Sequence, residues 1–195
     1  MLAISGSMSA STNLQSLQRK INELRVETSD VKKFVPEAEL YNVMSRATIS
    51  KVVDEFVPFY HTEEVVEFIT KDAPKTFSIL VLINQVKYIN YLIRDDQLQS
   101  RCIDNLLPFS KARLKEILGD DYVAEMFYEK QWEFTVPVFS GRIIPRTLER
   151  QAILPYLRDT PLASGGFSSV YLLDIHPSHR PKGYDSAALV SRSFM

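Results

Sequence analysis

The segment TFSILVLINQVKYINYLIR, from Thr76 to Arg94, carries the strongest apolar signal in the chain. Apolar side chains recur through it at three- and four-residue intervals and also fill intervening positions, as a helix covered on most of its surface requires. The segment predicts a long helix buried in a helical bundle and a mainly α fold class. The residues that carry the pattern are Phe77, Leu80, Val81, Ile83, Asn84, Tyr88, Ile89, Tyr91 and Leu92.

Amphipathic helices are predicted on the N-terminal side of this segment. One begins at Thr12 or Asn13 and ends near Glu27–Asp30, with Leu14, Leu17, Ile21 and Leu24 on one face. A second follows Pro36, which suits a first helical turn. The β-branched segment Thr48–Tyr60 fits either a strand or a helix, and its spacing favours a helix ended by Pro58. A further helix starts at Thr62 and covers Val65–Thr70.

Three helices are predicted on the C-terminal side. Asp95-Asp96 resembles a cap before a helix at Gln97–Leu107, and this position favours a cap over a metal or acid–base role. Ser110 caps a helix at Lys111–Leu118 that Gly119 closes. Asp120-Asp121 then starts the helix Tyr122–Lys130.

The sequence changes character after Lys130. Trp132–Phe139 alternates and is aromatic, which predicts a strand or an extended segment interrupted by Pro137. Arg142-Ile143-Ile144 is predicted as a turn region. We therefore divide the chain into a disordered N-terminus at 1–12, a helical module at 13–130, and an extended β segment at 131–195.

The segment Leu162–Tyr171, LASGGFSSVY, combines small residues with strand-forming ones. Gly165-Gly166 allows a tight turn and leaves no side chain in the way of a ligand. The alternation through Val170–Ile175 predicts the second strand of a β-hairpin. On spacing alone an ordinary hairpin is favoured over a phosphate-binding one, because a degenerate glycine pattern is a weak signal.

The same segment resembles the glycine-rich loop of protein kinases, G-x-G-x-x-G-x-V. With Val170 on the valine of that pattern, Gly165 falls on the middle glycine, while Ala163 and Ser168 replace the outer two. The phrase GGFSSVY and the continuation at Ile175–His179 resemble fungal serine/threonine kinases with a helical N-terminal extension. The resemblance implies that Gly165, Gly166, Phe167, Ser168 and Val170 contact ATP, which complete relatives bind with Mg²⁺.

The resemblance also implies what this chain lacks. The third strand of a kinase small lobe carries a lysine for the α- and β-phosphates, and Val190 stands in its place in Ala187-Ala188-Leu189-Val190. No H-R-D or D-F-G motif occurs in the 195 residues. We expect a kinase front end truncated within the small lobe, with no catalytic residues, no tight ATP binding and no phosphotransfer alone.

The alternative function is non-enzymatic. The apolar helices between Leu14 and Lys130 suit an interaction or regulatory module that binds another protein. Ser186–Met195 is predicted to lack strand continuity with the hairpin, as in a truncated gene product.

Composition and residue spacing narrow the choice of partner, compartment and metal site. A net charge of −1 does not indicate a nucleic-acid partner. Cys102 is the only cysteine, which fits a reducing compartment, and no apolar run reaches the ~20 residues of a membrane span. We expect a cytoplasmic protein without a membrane partner. His61 has no triad or metal partner at useful spacing, and His176 and His179 straddle Pro177, so we assign no metal site.

Overall fold

The computed structural model describes residues 12–56, 62–94, 102–139, 148–164, 168–181, 183 and 189–194. The protein is mainly α-helical, as predicted. Its helices are α1 (Thr12–Glu23), α2 (Glu37–Val43), α3 (Arg46–Phe56), α4 (Thr62–Asp72), α5 (Pro74–Leu82), α6 (Ile89–Arg94), α7 (Lys111–Leu118) and α8 (Asp121–Gln131). Single 3₁₀ turns lie at Val86–Tyr88, Ile103–Leu106 and Pro177–His179.

Among the described residues, two small antiparallel sheets accompany the helices. The first pairs β1 (Val26–Glu27) with β2 (Lys33–Phe34). The second has the order β3 (Tyr156–Ser164), β4 (Ser168–Ile175), β5 (Leu189–Phe194). Within the described part of the chain, no helix is long and apolar enough to cross a membrane.

Helix α5 is the centre of the bundle. From Pro74 to Val81 its side chains are buried except that of Lys75, and Phe77, Ile79, Leu80 and Val81 are fully enclosed. It contacts α1, α4 and α8, which cover it from different sides. The two buried hydroxyls are bonded, since Ser78 donates to the Pro74 carbonyl at 2.7 Å and Thr76 donates to Asp104 at 2.8 Å.

The long helix predicted for Thr76–Arg94 is wrong, because the segment divides into α5 and α6. Asn84 takes a left-handed conformation with φ 58°, which ends the helical ladder, and asparagine tolerates this conformation better than most residues. The Gln85 N–H then donates to the Leu80 carbonyl at 2.8 Å, and a 3₁₀ turn leads into α6. The break redirects the chain while most of its apolar residues stay buried.

The first helix also ends earlier than predicted. Helix α1 stops at Glu23, and the residues expected to continue it enter the β1–β2 hairpin instead. Thr28 holds the hairpin turn: its N–H donates to the Lys32 carbonyl at 2.8 Å, and its hydroxyl donates to Asp30. This hairpin matters because it presents Phe34, which is fully buried, to the C-terminal part of the chain.

Several helix boundaries follow the predicted caps. The Ser110 hydroxyl accepts from the Arg113 N–H, and Gly119 closes α7 with φ 64°. Asp120 accepts from the N–H groups of Tyr122 and Val123 at the start of α8. The ambiguous segment after Thr48 is helical in α3, and α4 begins at Thr62 as expected. The predicted break at Pro58, the Asp95-Asp96 cap, the turn at 142–144 and the disordered N-terminus other than Thr12 lie outside the described residues.

Asp104 caps α5 from a distance in sequence. The structure places it in a 3₁₀ turn, at the C-terminal end of the segment predicted as the helix Gln97–Leu107, whose described part is not α-helical. Its carboxylate accepts from the Lys75 N–H at 2.7 Å, and from the N–H and hydroxyl of Thr76 at 2.9 and 2.8 Å. Burial raises the pKa of Asp104, and the two backbone N–H groups act against that rise.

We predict that Asp104→Ala destabilises the fold by about 3 kcal/mol, because it leaves two buried N–H groups and one hydroxyl at the head of the central helix without their acceptor. Urea unfolding followed by circular dichroism measures the change. The control is Asp54→Ala on α3, an exposed carboxylate whose contact is a weak 3.4 Å bond from Ser50. Equal midpoints for the two variants would contradict the assigned role.

Candidate functional site

The glycine pair is flanked by two antiparallel strands, β3 and β4. Ala163 pairs with Val170 and Ser164 with Ser169, so the pairing runs up to the segment that contains the glycines. Gly165, Gly166 and Phe167 themselves lie outside the described residues. Of the other two predicted ATP contacts, Ser168 begins β4, and Val170 is partly buried within it. The binding role of these five residues stays a prediction.

The predicted lack of strand continuity after Ser186 is wrong. Leu189–Phe194 forms β5, which pairs with β4 along its whole length, from Leu173 opposite Leu189 to Ser168 opposite Phe194. The physical reason is that β4 has a second edge of unpaired N–H and carbonyl groups, which a neighbouring strand satisfies. Val190, which the kinase resemblance aligns with the lysine, pairs with Leu172 in this register.

Of the two alternatives predicted for Trp132–Phe139, a strand or an extended segment interrupted by Pro137, the structure does not form the strand. This stretch after α8 makes isolated backbone hydrogen bonds to two separate segments of the chain. The Val35 N–H donates to the Glu133 carbonyl at 2.9 Å, and the Phe139 N–H donates to the His179 carbonyl at 3.0 Å. Pro137 offers no N–H, which prevents a continuous ladder. The stretch therefore bonds both to the N-terminal part of the chain, at the residue that follows β2, and to the C-terminal part, at the 3₁₀ turn that follows β4.

A junction between these two parts forms around Phe34. On one side Phe34 belongs to a small apolar cluster with Trp132, Val136 and Ile153. On the other side its ring meets the rings of His176 and His179 edge to face, with centroids 5.6 and 5.2 Å away. We call these six residues the Phe34 junction. It joins β2, the stretch after α8, and the residues that follow β4.

A backbone hydrogen bond and two ion pairs reinforce the junction. The Ser29 N–H, in the β1–β2 turn, donates to the Tyr156 carbonyl on β3 at 2.7 Å. Arg25 Nη2 lies 2.6 Å from Glu133 Oε1, and Lys130 Nζ lies 2.9 Å from the same oxygen. Because Glu133 is largely buried, the two cations compensate a charge that would otherwise be costly there.

His179 is the most enclosed titratable group of the junction, with 1% of its surface exposed. Its Nδ1 lies 3.0 Å from the Pro137 carbonyl, which identifies Nδ1 as the protonated nitrogen of the neutral ring. Nε2 has no hydrogen-bond partner among the described residues. Burial lowers the pKa of both His179 and His176, and the mutual repulsion of the two rings adds to the fall at His179.

The structure shows no metal-binding cluster in the part that it describes. No group of three or more His, Cys, Asp or Glu side chains there is placed to hold a metal ion. His176 Nδ1 bonds to the Ser178 hydroxyl at 2.8 Å, next to the 3₁₀ turn that Pro177 begins. His61 lies outside the described residues. Cys102 is a partly buried free thiol that donates to the Asp72 carbonyl.

Comparisons with models of protein families, with curated proteins and with solved structures find no match. The kinase resemblance therefore depends on the residues of the glycine segment and on the continuation at Ile175–His179. Sequence analysis missed the Phe34 junction, although one signal was available. Phe34 and Trp132 are large aromatic residues in segments interpreted as a connector and a strand, and residues of this size are most often buried in a core.

We predict that Phe34→Ala destabilises the protein by about 3–4 kcal/mol, the cost of removing a fully buried aromatic ring. It also shifts the fluorescence of Trp132, the only tryptophan, to longer wavelength, because water reaches the junction. Urea unfolding monitored at 222 nm and by tryptophan emission measures both effects. Tyr122→Ala, at a residue 71% exposed, is the matched control and leaves both signals unchanged. A Phe34→Ala protein with native emission would contradict the junction.

Proposed function

We propose that the C-terminal sheet is the nucleotide-contacting part of a kinase-like small lobe, carried on a helical module. The supporting observation is the arrangement β3–β4–β5, in which the glycine pair falls at the β3–β4 connection and the strand with Val190 pairs with the other edge of β4. The spatial order of the three strands is thus the same as their order along the chain, as the resemblance to the first strands of a kinase small lobe implies. A glycine connection between such strands lets backbone N–H groups approach phosphate oxygens closely.

The proposed contact is weak and does not lead to phosphotransfer. A kinase holds the α- and β-phosphates with a lysine on its third strand, and β5 carries Val190 at that position. ATP would then be held by backbone groups at Gly165, Gly166 and Ser168 and by apolar contact with Val170. Mg²⁺ would enter with the phosphates, since the chain contains no D-F-G motif to hold it. The proposed setting is the cytoplasm, with no nucleic-acid partner.

We predict that the full chain binds Mg²⁺-ATP with a dissociation constant in about the millimolar range. The double variant Gly165→Val/Gly166→Val abolishes binding, because it restricts the backbone and fills the space in front of the phosphates. Val190→Lys tightens binding about tenfold by restoring a charge-assisted contact. Isothermal titration calorimetry measures all three proteins. Leu162→Ala, an exposed position on β3, is the control and binds like the parent chain.

No binding by either the parent chain or Val190→Lys would refute the nucleotide proposal. Equal binding by the glycine double variant would place the nucleotide elsewhere. Transfer of labelled phosphate to a general protein substrate above background would contradict the second half of the proposal, that this chain alone performs no phosphotransfer.

The alternative proposal is a helical module that binds another protein. One feature supports it: a surface cavity of about 310 Å³ beside α8, lined by Ile83, Tyr122, Glu125, Met126, Glu129 and Lys130. Its lining is mainly apolar, and Tyr122 is exposed, as in sites that receive an apolar side chain of a partner. This function does not need the glycine segment.

The alternative requires the helical module to fold without the C-terminal sheet. The suitable end point is residue 139 rather than 130, since Gln131 is fully buried and bonds both the N–H and the carbonyl of Phe109 at 2.8 and 2.9 Å. We predict that residues 1–139 give a cooperative thermal transition by circular dichroism, whereas residues 1–130 melt at a lower temperature. A molten or insoluble 1–139 fragment would count against an independent module.

A further inference from the structure

His179 links the C-terminal sheet to the rest of the protein from a position without access to water. Its ring packs edge to face on Phe34, its centroid lies 5.9 Å from that of His176, and its Nδ1 bonds to Pro137. Its carbonyl accepts from Phe139, so ring and backbone both bind the stretch that follows α8.

We propose that the Phe34 junction is a proton-operated latch, in which protonation of His179 releases the C-terminal sheet from the helical module. The inference goes beyond nucleotide binding and does not depend on it. The argument rests on where the added proton must go. Nδ1 already carries a proton that it donates to Pro137, so the second proton is taken up at Nε2, which is buried and has no partner in the described residues.

A charge placed at Nε2 is unfavourable in the closed junction. The ring would become a cation packed against Phe34 and the second histidine, and no described residue accepts a hydrogen bond from its new N–H. Opening the junction exposes the imidazolium to water and removes this penalty. The proton therefore binds more tightly to the open form, and by linkage it favours opening.

The charged groups that act on the two histidines come from both sides of the junction. Glu37 and Glu39 on α2 favour the protonated form of His179, and Glu39 does the same for His176. His176 disfavours the protonated form of His179, and Arg180 disfavours the protonated form of His176. Arg180 is held by Asp174, 3.0 Å away. Burial outweighs the two carboxylates, so the pKa of each histidine in the closed form lies below the ordinary 6.5.

The sign of the pH dependence follows. Well above pH 6.5 both histidines are neutral in either form, and the full stability of the closed junction is present. As the pH falls below 6.5, the histidines of the open form take up protons before those of the closed form do. The closed form therefore loses stability until the pH reaches the lower pKa values of its own histidines. The ratio of open to closed protein rises by up to about tenfold per pH unit for each histidine in that window.

Tryptophan fluorescence tests the latch, because Trp132 is the only tryptophan and lies in the junction. On lowering the pH of the full chain from 7.5 to 5.5, we expect its emission to shift to longer wavelength while ellipticity at 222 nm stays constant. This range stays above that in which carboxylates ordinarily titrate. Constant emission across the range would overturn the proposal, and so would a parallel loss of ellipticity, which indicates global unfolding.

Variants assign the effect to His179. We expect His179→Phe, which keeps an aromatic ring and cannot be protonated, to lose at least half of the pH-dependent shift. We expect His61→Phe, which changes the one histidine outside the junction, to keep the whole pH-dependent shift. A His179→Phe protein that titrates like the parent would refute the assignment. If His179→Phe does not fold, NMR titration of the unmodified protein decides: a His179 midpoint below 6.5 supports the latch, and one at or above 6.5 overturns it.

Discussion

The requirement to bury α5 on all sides governs the rest of the structure. A helix with almost no polar surface contributes favourable free energy only when neighbours exclude water around its whole circumference. The neighbours α1 and α8 come from distant parts of the sequence, whereas α4 directly precedes α5. The 3₁₀ turn with Asp104 closes the remaining end of α5 by binding its first N–H groups. Helix packing, rather than the small sheets, therefore defines the bundle.

Local features of the bundle were predictable from sequence. Ser110, Gly119 and Asp120 act through hydrogen bonds and backbone angles within a few residues, so their positions fix the ends of α7 and α8 without knowledge of the fold. The break at Asn84 was not predictable from periodicity, because the apolar pattern continues across it. The capping role of Asp104 was also hidden, since its partners Lys75 and Thr76 lie about thirty residues away and no local rule connects them.

The candidate site also contains features that local sequence predicts and features that it does not. Glycines between two alternating segments predict a hairpin, and β3 and β4 form one. Pairing of β5 with β4 depends on an unpaired strand edge, which is a property of the assembled sheet rather than of the residues after Ser186. The Phe34 junction was missed for a related reason. Phe34 meets His176 and His179 only after the whole chain has folded back, and each segment alone resembles an ordinary connection.

The long separation between Phe34 and the two histidines sets an order of assembly during synthesis. The N-terminal helices and the β1–β2 hairpin leave the ribosome first, and α8 with the stretch to Phe139 can complete the bundle before residues 176–179 are made. In that interval one face of the Phe34 ring has no cover and is in contact with water. Docking of the sheet is thus the last step, and it closes a long loop whose entropic cost grows only slowly with length. A nascent chain halted before His176 would present this bare aromatic face to chaperones.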